Sequence, residues 1–232
     1  LHDPASSTET SEPAAPRRVS AVRLMVIAAV AILLGALMIK HDLSSDSGPP
    51  PQPVPAAAQP SAGSNTAPSP TPTPEGGPAM KRSEPVRIKI PRIKVDAPFI
   101  GLGLNSSGVL EVPPAGDRNL AGWYEDGVAP GSRGNALVLG HVDTMMGPAV
   151  FWGLGSLKAG DIVEISRADG SVAKFAVDSV EAFPKDAFPD ERVYGKTRDA
   201  QLRLITCGGT YDRKAKDYKD NVVVFAHLLP PE

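Results

Sequence analysis

The chemistry of this chain starts with its only cysteine. Cys207 ends the apolar run Leu202–Thr206 and is followed by Gly208 and Gly209. A strand-terminal position beside a flexible turn exposes a thiol and lets a ligand approach the backbone closely. The competing reading is a small buried hydrophobe, where most free cysteines sit. One cysteine excludes an intramolecular disulfide. His141 ends a second apolar run, Ala136–Gly140, and precedes the polar turn Val142-Asp143-Thr144. An imidazolium beside a thiol lowers its pKa, and the ring can later protonate a leaving amine. Asp143 suits either orientation of His141 or a local turn. His227 reads as a polar residue near the end of the last strand.

Acyl transfer also requires a donor for the developing oxyanion. Arginine suits this role because it stays charged and carries several N–H groups. Arg213 follows the cysteine by six residues, and Arg203 precedes it by four. Period-two counting puts Arg203 on the same side of the strand as Cys207. For each, the plain alternative is a solvated surface arginine.

Short β-type runs separated by Gly, Pro and Asp must position these groups. They are Val86–Ile90, its continuation after Pro91, Val109–Val112, Asn135–His141, Asp161–Ser166, Val172–Val180, Leu202–Cys207 and Asn221–Leu228. Such spacing predicts an all-β barrel or sandwich. Apolar residues at helical spacing predict one short helix between Ala149 and Leu157. The glycines at 131, 134 and 140 form no phosphate-binding pattern, since no helix start follows a strand there.

All twelve aromatic residues lie from Phe99 to Phe225, so the chain before them lacks the large apolar side chains a core needs. The reading is one globular domain at 85–232, behind a polar tail at 1–21, an apolar segment at 22–41 and a disordered Pro-rich linker at 42–84. Leu24–Ile39 carries no charge, and extended back through Ala21 and Val22, interrupted only by Arg23, it is just long enough for a transmembrane helix. Arg17, Arg18 and Arg23 precede it, which predicts a cytoplasmic N-terminus and an exported domain. A cleaved signal peptide is the weaker fit, because Met38-Ile39-Lys40-His41 is a poor cleavage site. Eleven prolines in the 37 residues from Ser44 to Met80 favour an extended spacer, with a reach on the order of 140 Å at about 3.1 Å per residue. A formal net charge of −2, from 24 basic and 26 acidic residues, gives no sign of a nucleic-acid partner.

The order GNALVLGHVDT, LRLITCGGTYDR and DNVVVFAH, behind an anchor and a Pro-rich spacer, resembles the sortase transpeptidases. The LITCGG variant and AGWYEDGVAPG are most similar to the class F sortases of Gram-positive actinobacteria. The resemblance implies an eight-stranded sortase-type β-barrel with one or two short helices and a Cys-His-Arg triad. It implies Cys207 as nucleophile, His141 as acid/base and Arg213 as the cation, with Arg203 in reserve. The family's usual arginine position falls on Asp220 or Asn221, a departure from the pattern. Asn221 is expected to face the site, and Thr206 to give local support. The implied reaction cleaves an LPxTG-type signal on a surface protein between Thr and Gly, through a Cys207 thioester. The acyl group then passes to a cell-wall precursor or a pilin lysine. The reaction calls for neither metal nor organic cofactor. The rivals are a cysteine hydrolase of the same fold and a non-catalytic anchored domain that binds wall peptides. No Ser-His-Gly-Cys arrangement of the L,D-transpeptidase kind is present.

Overall fold

The computed structural model describes residues 48–53 and 77–231. The polar tail, the apolar segment 22–41 and most of the linker lie outside the described residues. The strands are β1 (Pro85–Ile90), β2 (Val95–Leu102), β3 (Ala121–Tyr124), β4 (Gly134–Leu139), β5 (Asp143–Thr144), β6 (Gly147–Pro148), β7 (Ile162–Arg167), β8 (Val172–Pro184), β9 (Ala200–Asp212) and β10 (Asp217–Leu228). Eight of them close a barrel in the order β1-β2-β3-β4-β9-β10-β8-β7, and β5 and β6 form a separate small ribbon. This is the all-β, eight-stranded architecture expected.

Alternation explains the closure. Ile88, Ile90, Val138, Val163, Ile165, Phe175, Leu202, Leu204 and Val224 take alternate positions along their strands and meet inside the barrel. Full burial of each such side chain contributes about 1.5–3 kcal/mol against leaving it in water. The intervening residues of β9 and β10 face outward, and part of this outer face is itself apolar. There Ile205, Val223 and Phe225 pack with Leu139, Phe183, Phe188 and Val193. Val193 belongs to a one-turn helix, α1 (Asp190–Tyr194), between β8 and β9.

Several expectations need correction. Ala149–Leu157 forms no α-helix; the only helical geometry there is a three-ten turn at Leu154–Ser156, in a segment broken by Gly153 and Gly155. Val109–Val112 forms no strand, only an isolated Leu104–Leu110 bridge. Packed structure also begins before Pro85. Gly77 N–H donates to Leu228 O at 2.7 Å and Met80 N–H to Gly131 O at 2.8 Å. Arg82 bonds the carbonyls of Gly127 and Glu125. Gly77 and Met80 bond the barrel through backbone donors and Arg82 through its guanidinium, which leaves no hydrophobic alternation to read.

Candidate active site

The site is built on the outer face, where β4 and β9 run parallel. Their register pairs Val138 with Leu204 and Leu139 with Ile205. Beyond the last pair, Gly140 N–H donates to Ile205 O at 3.2 Å, and Thr206 Oγ1 donates to Gly140 O at 2.7 Å. The pairing thus continues one residue past β4, to Gly140 and Thr206, which directly precede His141 and Cys207. Odd-numbered residues of both strands face outward, so the two side chains share a face. Thr206 is buried and ties the end of β4 to β9.

β9 does not end at Cys207. It runs on to Asp212, and Gly209 adopts φ +74°, a conformation that L side chains rarely adopt. In the β9–β10 register Gly208 pairs with Asp220 and Tyr211 with Tyr218, so Gly209 and Thr210 together oppose Lys219. This is a β-bulge opened by a glycine in left-handed geometry. The Gly-Gly pair therefore bends a continuing strand next to the nucleophile instead of ending it.

On the far side of β9, Asn221 is the register partner of Cys207, and Phe183 of β8 is the partner of Asn221. Asn221 thus stands opposite Cys207 in the pairing. Just past β8, Lys185 reaches back so that its Nζ lies 3.6 Å from Cys207 Sγ. The same Nζ donates to both carboxylate oxygens of Asp217 at 2.7 Å.

The arginines are placed differently. Arg213 is exposed in the turn between β9 and β10, six residues from Cys207 and so about 20 Å along an extended strand. Arg203 faces outward as counted, but it is buried, with its guanidinium 4.5 Å from the Phe225 ring centroid. It also donates to Gln201 Oε1 at 2.7 Å. Burial lowers its pKa to about 10. Neither arginine is brought to the sulfur. His227 sits near the other end of β10, its Nδ1 2.6 Å from Asp178 Oδ1.

Burial pushes the Cys207 thiol above its ordinary pKa; Lys185 pulls it down, while Asp217 and Asp143 push it up. The His141 Nε2 lies 2.6 Å from Pro113 O. A carbonyl only accepts, so Nε2 carries the hydrogen and the lone pair of the neutral ring is on Nδ1. Tyr218 O–H donates to Asp143 Oδ2 at 2.6 Å, tying the turn after His141 to β10. That bond gives Asp143 a partner other than the histidine. Gln52, in the described piece of the linker, accepts from Gly209 N–H through Oε1 at 2.8 Å. Among the described residues no group of three His, Cys, Asp or Glu side chains could hold a metal ion.

Lys185, Asp217, Tyr218 and Gln52 escaped the sequence reading. Lys185 lies in FPKDAFPDERVYG, a stretch without period, so the one available signal was a lysine fixed behind a proline.

A cysteine on β9 and a histidine two residues past the end of the parallel β4 suit cysteine acyl transfer. Residues 88–229 match the family model of the sortase domain. This chain belongs to the sortase family, the cysteine transpeptidases. Its fold is similar to sortase A of Corynebacterium diphtheriae in a lid mutant, at 19% identity over 66% of this chain and 74% of that one, with a TM-score of 0.50. It is also similar to sortase C-1 of Actinomyces oris, at 21% identity over 64% and 76%, TM-score 0.49, and to sortase C1 of Streptococcus agalactiae in complex with MTSET, at 19% over 65% and 71%, TM-score 0.49. No curated protein matches the chain.

Proposed function

We propose that this sortase is of class F and that Cys207 and His141 carry its reaction. The observation behind this reading is the bond from Thr206 to Gly140, which ties together the residues directly before Cys207 and His141 at the end of the β4–β9 pairing. Cys207 gives its proton to His141 Nδ1 and attacks the Thr–Gly carbonyl of an LPxTG-type signal. The tetrahedral intermediate collapses to a thioester as His141 protonates the departing glycine amine. A second amine, on a cell-wall precursor or a pilin, then attacks the thioester with His141 as base. Asn221 and Thr206 line and brace the site. The oxyanion requires a cation, for which the sequence offers Arg213; its exposed place in the turn favours a group nearer the sulfur.

The class F reading rests on LITCGG and AGWYEDGVAPG. The anchor reading rests on the uncharged run Leu24–Ile39 and the arginines before it, and puts the domain outside the membrane with the N-terminus in the cytoplasm.

The test is mass spectrometry of the chain incubated with a panel of LPxTG-type peptides, with and without a triglycine amine. A Cys207 acyl adduct, resolved faster by the amine than by water, is the expected result. A product ratio indifferent to the amine would establish the hydrolase instead. Absence of any adduct, with Cys207→Ala and the unmutated chain behaving alike, would favour the binding domain.

A further inference from the structure

An oxyanion formed beside a half-buried sulfur needs a preorganised donor within hydrogen-bond reach, and a fixed positive group is a strong one. Arg213 is exposed in the β9–β10 turn, and Arg203 is spent on Phe225 and Gln201. Lys219 is exposed in the bulge between Tyr218 and Asp220. The cation in place is Lys185, 3.6 Å from Cys207 Sγ. We propose that Lys185 is a catalytic residue of this sortase, holding the Cys207 thiolate and then stabilising the oxyanion. The oxyanion half of this proposal rests on the thioester reading above.

The fold builds the contact. Register carries the outer face from Cys207 to Asn221 to Phe183, so the end of β8 stands two strands from the nucleophile, about 10 Å across the sheet. Pro184 and the three-ten turn Lys185–Ala187 fix the backbone there. An extended lysine spans the remaining gap over Asn221. Asp217, at the start of β10, grips the ammonium through both oxygens at 2.7 Å. An ammonium has three hydrogens, so two serve Asp217 and one remains for the sulfur. Burial opposes the charge on Lys185, but Asp217 and the cysteine outweigh it, so its pKa moves up and it stays protonated.

The step balances without a further reactant. The thiol proton goes to His141 Nδ1, and a sulfur electron pair forms the S–C bond to the scissile carbonyl. The carbonyl π pair moves onto oxygen, where the third Lys185 N–H shifts from sulfur to meet it. Collapse restores the C=O bond, breaks the C–N bond, and the proton on His141 leaves with the amine. Lys185 keeps all three hydrogens. The groups bearing on the sulfur's charge are Lys185, Asp217 and Asp143, with the Tyr218 hydroxyl adjoining.

The experiment uses the full chain with Lys185→Met, Lys185→Arg, Lys219→Met and Arg213→Met. It reads single-turnover thioester formation with an LPxTG-type peptide and, separately, the pH profile of Cys207 alkylation by the neutral probe iodoacetamide. Lys185→Met is expected to lose about 100- to 1,000-fold in thioester formation. Its alkylation profile should move to higher pH. Lys185→Arg should recover most of the rate, and Lys219→Met should stay near the unmutated chain. A Lys185→Met variant with unchanged rate and profile overturns the proposal, as does collapse confined to Arg213→Met or Lys219→Met. Should the unmutated chain form no thioester, the transpeptidase reading fails, while the alkylation shift still decides whether Lys185 holds the thiolate.

Discussion

Thr206 donates its hydroxyl to the carbonyl of Gly140 at 2.7 Å, joining the residue before the nucleophile to the residue before the histidine. Beyond Leu139 the strands are joined by this bond and by Gly140 N–H to Ile205 O at 3.2 Å, and Thr206 is buried. The bond fixes the backbone before Cys207 relative to the backbone before His141.

Thr206→Val keeps the shape and removes the donor. The buried Gly140 carbonyl then loses this partner, at a cost of about 1–3 kcal/mol. Urea unfolding should show that loss. Thioester formation should fall further than stability alone accounts for, because His141 is released from register. Thr206→Ser should recover both, and equal activity in the valine and serine variants would count against the role.

Gly140→Ala should be more damaging. A Cβ at this position would stand 2.5 Å from Phe151 Cδ2 and 2.7 Å from Val150 Cγ1. Phe151 is fully buried, so the methyl forces backbone movement directly before His141. A lowered melting temperature together with a lost thioester is expected; full activity would mean that the strand end adjusts freely.

The thiol offers a test in pH. Burial raises the Cys207 pKa, so alkylation should keep accelerating at pH values where a free cysteine has reached its plateau. The unfolded chain releases that proton first as pH rises. Folded stability therefore falls between the unfolded and folded values, and the fall should vanish in Cys207→Ser. Denaturant titrations across the alkaline range measure this. A plateau at the free-cysteine value would contradict it.

Gln52 makes a prediction for binding. Its Oε1 takes the Gly209 N–H, a donor two residues from the nucleophile, and its Nε2 bonds Pro50 O at 3.0 Å. A peptide laid along β9 beside the thiol competes for that donor. Gln52→Ala should lower KM up to about tenfold, the worth of one ordinary hydrogen bond, with kcat little changed. Steady-state kinetics separates the two, and an unchanged KM would dismiss the competition.

The sequence carried the barrel because its strands are amphipathic: Ile88 and Ile90, or Leu202 and Leu204, announce a buried face by alternation alone. Cys207 and His141 were legible for the same reason, each ending a run whose period is clear. Lys185 was not, because its role depends on a strand end two positions across the sheet and on a carboxylate 32 residues away. Gly209 misled in an instructive way. Two glycines after an apolar run look like a stop, but only pairing with β10 reveals that Gly209 supplies the left-handed step of a bulge. The short β3, four residues of which three are buried, leaves no alternation to count.

The parallel pairing of β4 with β9 has a bearing on how the chain acquires its reactivity. The linked residues Gly140 and Thr206 are 66 positions apart, and β5 to β8 lie between them in sequence. Contacts of such separation form late, since the intervening loop must close first. Until then Cys207 is an ordinary thiol with no ammonium at its side. The nucleophile is thus armed by the closing of the barrel, and a half-folded chain carries no active warhead.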